Sequence, residues 1–230
     1  MNAIGRRATS ILIGLATAIV IVALTIVPFL TPAWVAFEQG RANATAWTGY
    51  TTEELRTVTD AILSDLVLGG DFGVAVNGQP VLIVREQTHM SDVRTVFRGL
   101  WILAAVSVVV LVVATRRADR AGTWRAVRGG AIGLTAGVVI AGVVGLVAFD
   151  QLFEAFHEVF FPPGSYLFDP ATDRLVQLFP FRFWDETAMV VGVVMVVVAL
   201  AVAVVASRRA GRSGAIVAEG ELAAVPEHGS

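Results

Sequence analysis

Four apolar runs, at about residues 10–30, 97–115, 129–149 and 188–207 of 230, constrain this chain more than any other feature. Each reaches, or nearly reaches, the roughly 20 helical residues that cross a hydrocarbon core about 30 Å thick. The second is shortest in uninterrupted form, so its helix is expected to begin earlier, in the polar segment before it. The chain therefore reads as an all-α polytopic membrane protein with four transmembrane helices. Composition agrees: 56% of residues are hydrophobic and 16% charged, with mean hydropathy +0.73. A soluble domain carries roughly 25% charged residues, and a disordered chain is far less apolar. The net charge of −2 leaves no basic surface for nucleic acid. With no cysteine, disulfides, thiolate metal sites and a cysteine nucleophile are all excluded.

Orientation follows from arginine, since the chain has no lysine. Two arginines precede the first run, five separate runs two and three (Arg116, Arg117, Arg120, Arg125, Arg128) and three follow run four (Arg208, Arg209, Arg212). Basic residues stay on the cytoplasmic side, so both termini are expected in the cytoplasm of a cell-membrane protein. Arg6-Arg7 before an apolar run imitates a signal peptide, but the run exceeds the usual 7 to 15 residues and is expected to be a retained anchor. The third run carries Gly129, Gly133, Gly137, Ala141 and Gly145, a small-residue stripe expected to pack against another helix. Residues 208–230 read as a disordered cytoplasmic tail, small, polar and acidic from Gly211 on.

The two remaining segments, 31–96 and 150–187, hold fifteen of the nineteen acidic residues and are expected outside the cell. The first predicts a small α/β cap. Thr51-Thr52-Glu53-Glu54 reads as a capping box opening a helix through Leu55, Val58, Ile62 and Leu66 that stops at Gly69-Gly70. Strands over 72–76 and 79–84 around Asn77-Gly78 form a hairpin, whose return strand delivers Arg85, Glu86 and His89 to the second span. The second segment is aromatic: eleven of twenty Phe, Trp and Tyr residues lie between Phe149 and Trp184, suited to the headgroup level.

Polar chemistry centres on two of the three histidines. His89 lies about eight residues before the second run, with Thr88 as a candidate helix cap and Asp92 three positions on, where its carboxylate could orient the imidazole. His157 lies about eight residues after the third run, and Asp150, Glu154 and His157 share one helical face at i, i+4 and i+7. Both histidines thus arrive at one depth from opposite loops. On spacing alone they remain either a catalytic pair or interfacial polar residues. No His-Glu-x-x-His helix is present, so a zinc site is disfavoured. Gly-x-Ser-x-Gly is absent too, leaving Ser91 and Ser165 as weak nucleophile candidates.

Three stretches carry a resemblance. Glu86-Gln87-Thr88-His89-Met90-Ser91-Asp92-Val93, Phe156-His157-Glu158-Val159-Phe160-Phe161, and Phe168 to Pro180 followed by Phe183-Trp184 are similar to the lipoprotein intramolecular transacylase family of four-span bacterial membrane proteins. The resemblance covers about residues 11–207. It implies transfer of the sn-2 acyl chain of a diacylglyceryl-cysteine to the α-amine of the same cysteine. It implies membrane lipids and diacylated lipoproteins as partners, no cofactor and no metal, and His89 and His157 as the catalytic histidines. One imidazole would act as base on the amine, whose pKa is near 8, and the other as acid and oxyanion donor; which is which stays open. Asp92 and Glu154 are expected to orient them, with Glu86 and Asp150 in support. Phe153, Phe160 and Trp184 are expected to hold acyl chains. The alternative is a non-enzymatic membrane protein whose cap binds lipid or a protein partner.

Overall fold

A computed structural model describes residues 3–116 and 119–223, the stretch 213–223 by its backbone alone. Helix α1 (Ala3–Ile26) runs into a 3-10 turn (Val27–Leu30), followed by α2 (Pro32–Arg41), α3 (Ala44–Thr48) and α4 (Thr52–Leu68). Strands β1 (Ala75–Val76) and β2 (Gln79–Pro80) precede α5 (Val84–Thr115), α6 (Arg120–Phe160), α7 (Arg174–Leu178) and α8 (Phe181–Ala223). Among the described residues four stretches are long and apolar enough to span a membrane: Ala3–Leu30, Val84–Thr115, Arg120–Phe160 and Phe181–Arg212. They contain the four apolar runs, and α5 begins before its run as expected.

The chain divides into two units. One comprises Met1–Leu24, Ile102–Val139 and Val194–Ser230, the other Thr25–Trp101 and Ile140–Val193. The first is packed with small side chains. Ile13, Ala114, Ala126, Val127 and Ala206 form its buried cluster. A close backbone approach joins Gly14 to Gly130, where a Cβ on Gly130 would collide with the Gly14 carbonyl oxygen. This corrects the expected packing stripe. A Cβ on Gly129, Gly133 or Gly137 would meet nothing within 4 Å, so the contacting face is turned one residue from the face that the spacing suggests. Helix α8 extends to Ala223; the rest of the tail, 224–230, lies outside the described residues.

The second unit has the larger core. The capping box of α4 forms as expected, with the Thr51 side chain accepting from the Glu54 N–H and the Glu54 carboxylate from the Thr51 N–H. It starts a helix whose buried face, Leu55, Val58, Ile62, Leu63 and Leu66, packs with Phe72, Val81, Leu82, Leu175, Leu178 and Phe183. Asn77 (φ 51°) and Gly78 (φ 77°) make the tight turn. The strands, however, pair only Ala75 with Pro80 and Val76 with Gln79, shorter than predicted. Val81 and Leu82 are drawn into the core, and Val84 already belongs to α5. Helix α6 has a break at Ala148 (φ −147°, ψ 42°), where the third apolar run ends, and residues 149–160 form its aromatic continuation.

Buried polar groups lace this unit together. Gln39 donates to the Leu178 carbonyl (3.0 Å) and accepts from the Thr59 hydroxyl (3.1 Å), joining α2, α4 and α7. Nearby, Glu186 sits between Arg41 and Arg182, each 2.7 Å away. Buried Glu38 lies beside this triad, 3.6 Å from Arg41. Burial, then hydrogen bonding to Glu186 and its charge, push the Glu38 carboxyl up to about 7 against the opposing pull of Arg41 and Arg182.

Candidate active site

The site lies within the second unit and is built on the first turns of α5. Glu86, fully buried, caps this helix by accepting the Ile83 N–H (2.7 Å) with one oxygen. Its other oxygen accepts the Leu175 N–H (2.6 Å), one of the N–H groups that α7 leaves unpaired. Thr88, predicted as a cap, is instead inside the helix and donates to the Val84 carbonyl. Arg85 reaches the loop after α6. It pairs with Asp173 (2.7 Å), donates to the Leu167 carbonyl (3.0 Å) and lies over the Phe168 ring at 5.0 Å. Two successive residues thus tie the start of α5 to the loop that leads into α7.

That arrangement seats His89, only 6% exposed, against the rings of Phe161 (4.7 Å) and Phe168 (5.4 Å). His157 comes from the aromatic continuation of α6. The two imidazoles lie 6.0 Å apart between centroids and within 20° of parallel. His157 also touches Phe153 (4.2 Å), Tyr166 (5.1 Å) and Phe161 (5.3 Å). Its Nδ1 is 2.7 Å from the Phe153 carbonyl oxygen. A carbonyl can only accept, so Nδ1 carries the proton and the neutral ring offers its lone pair at Nε2. The Nδ1 of His89 is buried, with no hydrogen-bond partner among the described residues.

Among the described residues no hydrogen bond joins Asp92 to His89 or Glu154 to His157; the orienting group of His157 is backbone. Glu154 and Asp150 are exposed on α6. Glu86 shapes the helix start instead of bonding an imidazole. Phe153 lies against His157, whereas Phe160 is half-exposed and packs on Phe156 (4.8 Å). Trp184 contacts Phe153 (6.2 Å). Ser165 donates to the Pro162 carbonyl and Ser91 accepts from Arg94, so neither hydroxyl is paired with a histidine. Among the described residues no three His, Asp or Glu side chains gather as a metal ligand set. Sequence spacing gave no role to Phe161, Tyr166 or the Arg85–Asp173 pair; the density of aromatics between 149 and 184 was the signal for the two rings.

The model of the family described as lipoprotein intramolecular transacylase Lit matches residues 9–184. The chain belongs to the Lit family. It is an enzyme of the transacylase class, so the binding-only alternative is set aside. The solved structure of the membrane-integral Lit from Bacillus cereus is similar at 17% identity and TM-score 0.74, covering 92% of this chain and 98% of that one. Two variants of the same Bacillus Lit, with one histidine replaced by arginine or by alanine, match at 15% identity and TM-score 0.72. Each covers 90% of this chain, and 92% or 94% of its own. A comparison with curated protein sequences gives no match. The Lit-family match takes in both histidine motifs, and the Bacillus likeness shows that the four-helix membrane fold with its cap is shared.

Proposed function

We propose that this chain moves the sn-2 acyl chain of a diacylglyceryl-cysteine to the α-amine of the same lipoprotein cysteine, with His157 as base and His89 as acid. The observation that carries the proposal is the pair of near-parallel imidazoles 6.0 Å apart in an aromatic enclosure, in a chain of the Lit family. An ester carbonyl held between them is within reach of both rings. The α-amine nitrogen attacks the carbonyl carbon and gives a proton to Nε2 of His157, whose Nδ1–H is held by the Phe153 carbonyl. That hydrogen bond also supports the imidazolium that forms. His89, in its low-polarity seat, donates to the oxygen that becomes negative. The bond between the acyl carbonyl carbon and the glyceryl oxygen then breaks, and that oxygen leaves as a free hydroxyl with the proton that left the amine, relayed through the two imidazoles so that both end as they began. The product is an isomer of the substrate: one ester lost, one amide gained. Both reacting groups belong to one molecule, so no acyl-enzyme is required. Phe153, Phe160 and Trp184 offer apolar surface for the acyl chains, beside bilayer lipid. The arginine distribution supports termini in the cytoplasm and a site on the outer face of the cell membrane.

The test uses the full chain in lipid with a diacylated lipopeptide, followed by fragmentation mass spectrometry. An N-acylated product of unchanged mass is expected. A product lighter by one acyl chain, with free fatty acid, would make the protein a lipase and overturn the reading.

A further inference from the structure

Helix α4 changes character in its last turn. Its buried side faces the core of the second unit throughout. The exposed side, read along the helix, is Thr52, Glu53, Arg56, Thr57, Asp60 and Ser64, all polar. The final two exposed residues are Val67 and Leu68, which are 64% and 81% exposed. Single exposed apolar residues are ordinary on a protein surface. An adjacent pair that ends an otherwise polar face is different, and its position is fixed.

The position is set by α5. Arg94 donates to the Asp65 carbonyl (3.3 Å) and also to the Gly70 carbonyl, holding the end of α4 along α5. One turn further, a Cβ on Gly69 (φ 99°) would lie 3.3 Å from Nη2 of Arg98. Arg98 is the last charged residue before an uncharged stretch from Gly99 to Thr115. Trp101, three positions on and therefore on the same face of α5, is partly exposed. Arginine at a span end reaches toward the headgroups, and tryptophan prefers the same layer. Leu68 is one residue, about 3.8 Å of chain, from the Gly69 that abuts this arginine.

We infer that Val67 and Leu68 form a lip on the cap that inserts into the headgroup–acyl boundary of the adjoining leaflet, its occupant being bilayer lipid. The apolar contact of α5 with the membrane continues without a break onto the end of α4. The lip stands on the membrane fold alone, independently of the acyl-transfer reading.

The absence of cysteine allows a direct test. Single variants Leu68→Cys, Ser64→Cys, Asn77→Cys and Val108→Cys carry a nitroxide label in reconstituted bilayers. Accessibility to oxygen, which partitions into lipid, is compared with accessibility to a polar nickel chelate. The oxygen-to-nickel ratio at Leu68 should exceed that at Ser64 and Asn77 severalfold and approach that at Val108. A ratio at Leu68 equal to that at Asn77 would overturn the lip in favour of a water-exposed end. Low accessibility to both reagents would overturn it in favour of a protein partner or a second copy. Melting curves of the labelled variants, matched to the parent chain, exclude misfolding as the cause of any ratio.

Discussion

The two units solve the burial of polar atoms in different ways. In the first, buried side chains are mostly Ala, Ile and Val, and a buried Thr17 hydroxyl is satisfied within its own helix at the Ile13 carbonyl. Close contact of Gly14 with Gly130 supplies packing. In the second, Glu38, Gln39, Glu86, His89, Asp173 and Gln177 are all buried. Gln39, Glu86 and Asp173 are satisfied by partners on other elements, 139, 89 and 88 residues away. Buried polar groups left unpaired are costly, so a unit that gathers them must be held in register by long-range bonds. The capacity for chemistry and the need for long-range polar ties sit together in the second unit, while the buried hydroxyls of the first bond nearby in sequence, Thr17 to Ile13 and Thr123 to Ala114.

The largest expected effect breaks the comparison at its chemical end. His157→Ala or His89→Ala should each lower acyl transfer by about 10²- to 10⁴-fold, while the melting temperature stays near that of the parent chain. Retained transfer in the double variant would place the chemistry elsewhere. Next, Gly130→Ala puts a Cβ against the Gly14 backbone. By analogy with overpacked cores it should cost about 1–3 kcal/mol of stability, with activity per folded molecule unchanged. A fall in kcat at constant stability would erase the distinction between the units.

Glu86→Ala removes the acceptor of two backbone N–H groups. Leaving buried donors unpaired costs about 1–3 kcal/mol each, so the melting temperature should fall and, because α5 carries His89, kcat should fall with it. Glu86→Gln, which keeps one acceptor oxygen, should lose less of both.

Glu38 gives the second unit a pH dependence. Its carboxyl holds a proton to about pH 7 in the folded chain, against 4.5 as the ordinary value. Folding therefore binds a proton between these limits, and the group's contribution to stability is full below about 4.5 and is lost as pH rises to about 7. Thermal melts across this window should show that slope for the parent chain and a flatter line for Glu38→Gln. The smallest effect belongs to Asp92→Ala and Glu154→Ala. Neither carboxylate bonds an imidazole, so transfer should change by less than about threefold; a loss approaching that of a histidine variant would reinstate them as orienting groups.

Much of this was legible in the sequence, and the boundary has physical causes. Apolar runs long enough for a bilayer admit few alternatives, and the Thr51–Glu54 capping box and the Asn77-Gly78 turn depend on neighbours within four residues. The nearness of His89 and His157 agrees with counting residues from the span ends. The orienting partner of His157 was not legible, because a backbone carbonyl leaves no mark in a sequence. Nor were the ties of Arg85 to Asp173 and Glu86 to Leu175, which join positions 88 and 89 apart. The glycine stripe misled because an i, i+4 rule finds a face without saying which neighbour, if any, approaches it; the contact fell to Gly130, one position away.

The bond from Leu175 to Glu86 also sets a clock. At about 5–20 residues per second, the ribosome makes Leu175 roughly 4–18 s after Glu86. Throughout that interval the Glu86 carboxylate lacks its second donor, and the loop bearing Tyr166 and Phe168 has only just been made at its end. His89 is therefore made long before its enclosure. A nascent chain entering the membrane beside its neighbours carries a single solvated imidazole, without the ring it faces, until its third long helix and the following loop have been made.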